Sequence, residues 1–127
     1  MTRVTLVPAT ARDFEEMAAI SPDTPKLPPV RTIALAAKVD GRVIAVGGIA
    51  MYPNGVNAAF TDISDEARKY PVSIHRAGLR AIALAKKQGV KRLMASGQSH
   101  PASERWLLRL GFRRQETDGA PIYVADL

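Results

Sequence analysis

Asp40-Gly41 lies between two apolar runs, residues 32–39 and 42–51, and no other feature constrains the fold of this 127-residue chain as tightly. Both central positions of a two-residue type I′ turn need positive φ, which Asp-Gly tolerates, so the runs are predicted to pair as an antiparallel hairpin. Tyr52-Pro53-Asn54-Gly55 marks a second turn and leads into a strand through Val56 to Ile63. Three consecutive antiparallel strands result.

The flanking segments supply helices and further strands. Residues 3–7 alternate as a short strand. Thr10 stands where an N-cap belongs, with Asp13 three residues on and Phe14, Met17 and Ala18 at helical spacing, which predicts a helix over 11–20. Residues 21–29 carry Pro22, Pro25, Pro28 and Pro29, too many for a helix, and are expected to form a loop. Ser64-Asp65-Glu66 can start a helix that Pro71 interrupts and residues 72–88 resume. Ile74, Gly78, Ala81, Ile82 and Ala85 fall on one face of it, and Arg76, Arg80 and Lys87 on another. Gly89 stops this helix, 91–96 reads as a strand, and 101–110 as a helix stopped by Gly111. Two strands, 112–116 and 121–125, close around Asp118-Gly119. The order β, α, loop, β, β, β, α, β, α, β, β gives a single domain over 1–127 of α/β (α+β) class, with no internal repeat.

Composition removes several chemistries. Without cysteine there is no disulfide scaffold, thiolate zinc site, iron-sulfur cluster or cysteine nucleophile. His75 and His100 have no third ligand at recognisable spacing, so no metal is expected. No apolar run approaches the roughly 20 residues that span a bilayer, and the N-terminus lacks a signal-peptide pattern. A soluble, cytoplasmic protein without a membrane partner is expected. The net charge of +6 is uneven: residues 1–63 hold six basic and six acidic groups, and residues 64–127 hold twelve and six. That excess suits an anionic partner or serves as a solvated surface.

The element order and three local patterns resemble the GNAT acetyltransferase superfamily over nearly the whole chain. The patterns are Asp40-Gly41 in the hairpin, Glu104 through Leu110-Gly111-Phe112 at the end of the last helix, and residues 63–73 at the entrance of the long helix. The chain also looks like the short GNAT-like proteins of phages and prophages. The resemblance implies a mixed central sheet with antiparallel N-terminal strands, helices on both faces, and two central strands that splay apart to admit acyl-CoA. It also implies that the loop at 63–73 captures pyrophosphate on free N–H groups at a helix start. Both glycines of the family loop are replaced here, by Pro71 and Ser73. Either Pro71 occupies the first turn of the long helix, where a missing N–H costs little, or the loop is rebuilt and the cofactor site lost.

Carried over residue by residue, the resemblance places acetyl-CoA, a co-substrate, against main-chain groups of the strand at Thr61 and Ile63. It places the phosphates near Arg68, Lys69, Tyr70, Ser73 and Arg76, with His75 adding charge. The reaction is attack of an amine on the thioester, which needs a base, oxyanion donors and an acid for the thiolate. Asp62, near the end of the splayed strand, and His100, on the loop after a central strand, are the catalytic candidates. The tyrosine acid common in the family falls at Leu107, so that acid is absent. Tyr52, Tyr70 and Tyr123 could each supply a hydroxyl, and Trp106 reads as core. The leading function is an acyl-CoA-dependent N-acetyltransferase whose acceptor is a small-molecule or protein amine. The alternative is a catalytically inactive GNAT-fold binding or structural module. A third is nucleic-acid binding through Arg76, Arg80, Lys86, Lys87, Lys91 and Arg92, disfavoured because no aromatic is interleaved. A homodimer is compatible with each.

Overall fold

A computed structural model describes residues 3–21, 24, 26–96 and 101–127, without the side chains of 101–103. One seven-stranded sheet organises it, in the order β1-β2-β3-β4-β5-β7-β6. The strands are β1 (Val4–Pro8), β2 (Arg31–Val39), β3 (Arg42–Met51), β4 (Asn57–Ile63), β5 (Arg92–Ser96), β6 (Arg113–Gln115) and β7 (Ile122–Asp126). Helices α1 (Ala11–Ile20), α2 (Pro71–Lys87) and α3 (Pro101–Arg109) cover its faces. Every neighbouring pair is antiparallel except β4 and β5, which are parallel.

The β2–β3 hairpin turns at Asp40 and Gly41 with φ of 51° and 78°, the positive values that the dipeptide predicts. An irregularity in this pair was not legible. Ala37 faces Ala45 but Lys38 faces Val43, so Ile44 is an extra residue on β3. The bulge lets both Ile44 and Ala45 join the cluster with Ile74 of α2, while Val43 joins Phe14 and Met17 of α1 on the opposite face. Gly48 of β3 has a separate necessity: a Cβ there would lie 1.8 Å from the Ile33 carbonyl oxygen. The strands approach too closely for any side chain.

Alternation along the strands divides the two faces. Ala36, Val46 and Phe60 pack with α1, whereas Ile33, Ile49 and Ala59 pack in the cluster that holds Ala85 of α2 and Leu107 of α3. Helix α1 is fixed by a capping box between Thr10 and Asp13, and the Asp13 carboxylate also meets Lys38 Nζ of β2 at 2.9 Å. Burial raises the Asp13 pKa, but the Thr10 backbone N–H and the Lys38 ammonium outweigh it and hold the carboxyl below its usual range. On the other face Gly78 brings α2 against α3: a Cβ there would stand 3.0 Å from Leu110 and 3.2 Å from the Trp106 ring. No helix among the described residues is long and apolar enough to cross a membrane.

Candidate functional site

The sheet opens at its centre. β3 and β4 are paired along all seven residues of β4, from Asn57 with Met51 to Ile63 with Ala45. β4 and β5 meet at one pair only, Ala58 with Met94. The strands therefore diverge past Ala58, which leaves one edge of β4 without a strand partner among the described residues.

Hydrogen-bond parity shows which groups face the opening. Tyr52 N–H donates to Val56 O at 2.9 Å and Ser64 N–H to Ile44 O at 3.0 Å, one at each end of the β3–β4 pairing. In an antiparallel ladder such bonded pairs alternate with unbonded ones. The even residues Ala58, Phe60 and Asp62 accordingly turn their N–H groups to β3. Ala59, Thr61 and Ile63 turn theirs the other way, and those of Thr61 and Ile63 enter the opening. Side chains alternate too: Phe60 packs toward α1 and Ile63 toward α2, so Asp62 and Ser64 project on the α1 face and Thr61 on the α2 face.

Beyond β4 the chain makes a compact turn. Ala67 N–H donates to Ser64 Oγ at 3.2 Å, a single 3₁₀ turn spans Ala67–Lys69, and Tyr70 N–H donates to Ala67 O at 2.9 Å. Pro71 is the first residue of α2, and Ile74 N–H makes the first helical bond, to Tyr70 O at 3.0 Å. Of the two readings of Pro71, the structure shows the first-turn placement: the proline interrupts no helix and its missing N–H would have had no helical acceptor. Val72 and Ser73 keep their N–H groups at the helix start, where no side chain caps them and the helix dipole favours an anion. Arg68, Lys69 and Arg76 are exposed around this point. Arg68 approaches Asp65 at 3.7 Å, and Glu66 is engaged by Arg42 at 2.7 Å, which ties the turn to the hairpin and holds the Glu66 carboxyl below its usual range.

The candidate catalytic groups separate. Asp62 is half-buried, and the Thr24 hydroxyl of the proline-rich loop donates to its carboxylate. That contact joins the candidate base to the segment covering the α1 face, and sequence spacing gave no sign of it. His100 lies outside the described residues. Tyr52 is exposed at a turn, and Tyr70 packs beside Ile74 and Ala67. Tyr123 is 2% exposed, and burial together with the negative charge of Glu104 raises its pKa. Leu107 packs against the core. No group of three or more His, Asp or Glu suited to a metal occurs among the described residues. A concavity of about 410 Å³ lies along the first residues of β2, between Leu27 and Leu84, and none of the opening's residues lines it.

Thr61 and Ile63 therefore offer main-chain donors in the opening, and Val72 and Ser73 offer them at the start of α2. No protein-family model matches the sequence, and no curated protein matches it. Solved structures do. The PaiA N-acetyltransferase of Thermoplasma acidophilum in complex with coenzyme A superposes with a TM-score of 0.78 at 12% identity, over 98% of this chain and 99% of that one. An acetyltransferase of the GNAT family from Staphylococcus aureus Mu50 gives 0.74 at 11% identity, over 98% and 99%. A Bacillus subtilis acetyltransferase in complex with CoA gives 0.68 at 15% identity, over 100% and 99%. Identities this low establish architecture: the chain has the GNAT N-acetyltransferase fold, from one end of its sheet to the other.

Proposed function

We propose that the protein is an acyl-CoA-dependent N-acetyltransferase that acts on an amine. The observation that carries this reading is the β4–β5 opening, with the Thr61 and Ile63 N–H groups turned into it. Main-chain donors held by a ladder on their other side are preorganised, and preorganised donors stabilise negative charge developing on an acyl oxygen. The Val72 and Ser73 N–H groups, with Arg68, Lys69 and Arg76 nearby, receive the phosphates, and Tyr70 and Ser73 line the same turn.

The amine acceptor, a small molecule or a protein, approaches from the α1 face, where Asp62 projects. As the amine nitrogen bonds to the acyl carbon it loses a proton, and Asp62 is placed to accept it with its carboxylate oriented by Thr24. The carbon–sulfur bond breaks and the thiolate departs as coenzyme A. His100 is kept as a second candidate for proton transfer.

The second reading, a GNAT-fold module that binds without transferring, is favoured by one specific observation: Leu107 is an apolar, core-packed residue where the resemblance implies a tyrosine acid. Two measurements separate the readings. Acetyl-CoA at 100 times its Kd should raise the unfolding free energy by about 2.7 kcal/mol and the melting temperature with it. No shift at millimolar acetyl-CoA contradicts transfer and leaves a binding or structural module that takes no acetyl-CoA. A shift accompanied by thiol release when a panel of amines is added supports transfer; a shift with no release from any amine supports the binding module.

A further inference from the structure

The solvent side of α2 carries a pattern that the fold itself does not use. Val72, Arg76, Leu79, Ala83 and Lys86 recur at alternating spacings of four and three, and all five are exposed. Val72 and Leu79 are large apolar residues, 64% and 45% open to solvent. Ile74 and Ala85 are the buried residues of the same helix, so the exposed stripe lies opposite the face that holds α2 on the sheet. Alternation by four and three marks the seam on which a second helix packs.

The charges beside this seam are all of one sign. α2 contains no acidic residue, and Arg76 and Arg80 stand one turn apart, where like charges repel. Arg105 and Arg109 repeat the arrangement on α3. Each directly precedes a residue, Trp106 or Leu110, that packs on Gly78 of α2, so basic groups border the α2–α3 contact from its α3 side as well. All four arginines are exposed, and none joins an ion pair among the described residues. Lys86, Lys87 and Arg109 lie in last turns, where the helix dipole favours a cation. Arg76, Arg80 and Arg105 have no such local reason, and their mutual repulsion is relieved only by an anionic partner.

We propose that this face docks an acidic amphipathic helix of a partner protein, with apolar side chains on Val72, Leu79 and Ala83 and carboxylates on the arginines. Charge complementarity selects that occupant. A second copy of the chain would set arginine against arginine in a two-fold contact. Nucleic acid would bury Val72 and Leu79 against phosphates, and the seam offers no aromatic for a base to stack on. The 17 residues of α2 span about 25 Å, room for a partner helix of comparable length. The seam starts at the turn proposed for the phosphates, but Leu79, Arg80 and Arg105 lie outside that turn, so docking does not rest on the acyl-CoA reading.

The probe is a fluorescein-labelled peptide of three heptads, with leucine at a and d and glutamate at e and g, followed by anisotropy as the full chain is added. The proposal specifies chemistry and not a sequence, so this peptide should bind saturably, and more weakly as salt is raised. Leu79→Glu should weaken binding by roughly 10-fold or more, the effect of losing one buried leucine. Arg80→Glu and Arg105→Glu should weaken it and flatten its salt dependence. All three variants change exposed side chains, their melting temperatures are checked, and any one that folds tests the face. A peptide with serine in place of every leucine should bind at least about 10-fold more weakly. Absence of binding by the leucine peptide, equal binding by the serine peptide, or indifference to the substitutions overturns the proposal. Tighter binding of duplex DNA or of phosphatidylserine vesicles than of the leucine peptide also overturns it, and reassigns the face to that polyanion.

Discussion

The two edges of β4 are built in opposite ways. Toward β3 the strand is paired along its whole length, between a partner that tolerates no Cβ at Gly48 and a bulge that sends Ile44 to the α2 face. Toward β5 it is paired at Ala58 alone. The first edge holds the strand rigid, and the second leaves its N–H groups free for a ligand. Preorganisation at the open edge depends on the closed one, because a strand held on neither side could not fix its amides.

The largest effect is expected from attacking the closed edge. Gly48→Val places side-chain atoms where the Ile33 backbone already lies, and the prediction is loss of cooperative folding, read as a missing thermal transition. Asp13→Ala comes next. It removes the capping box and leaves Lys38 without its partner, and should cost about 3 kcal/mol in denaturant unfolding. Because the folded Asp13 pKa is lowered, its contribution is complete above about pH 5 and fades as pH falls below the unfolded value of about 4 toward the folded one. Asp13→Ala should therefore show a shallower acid-induced loss of stability than wild type.

A pair of adjacent prolines sharpens the comparison further. Asp62→Pro deletes an N–H that faces β3 and should cost about 1–3 kcal/mol. Thr61→Pro deletes one that faces the opening, so the unfolding free energy should change less than in Asp62→Pro, while transfer falls by about 10²- to 10³-fold. Equal losses of stability in the two variants would contradict the parity. The smallest effect belongs to Arg42→Ala: its pair with Glu66 is exposed, and the melting midpoint should stay near that of wild type at high salt.

Much of this contrast was legible in the sequence, for physical reasons that differ by element. Asp40-Gly41 predicts its turn because few dipeptides accept two positive φ values, and Thr10 with Asp13 predicts the start of α1 because capping is local. The long helix and the last two strands are placed by periodicity and glycine stops. The bulge at Ile44 was not legible, since an extra residue in an all-apolar strand leaves no break in the pattern. Pro71 could be read as an interruption or as a first turn, and only the path of the 3₁₀ turn before it decides. The contact of Thr24 with Asp62 spans 38 residues, and spacing carries no record of such a distance. Trp106 read as core, and it packs, partly buried, against the cluster of Ile74 and Ala67.

The odd-numbered amides of β4 face an unpaired opening, and on this the rest depends. Residue-resolved hydrogen exchange tests it most directly. The amides of Phe60 and Asp62 should be protected, those of Thr61 and Ile63 should exchange much faster, and saturating coenzyme A should slow Thr61 and Ile63 selectively. Uniform protection from Ala59 to Ile63 in the free protein would show β4 paired on both edges and would contradict the account.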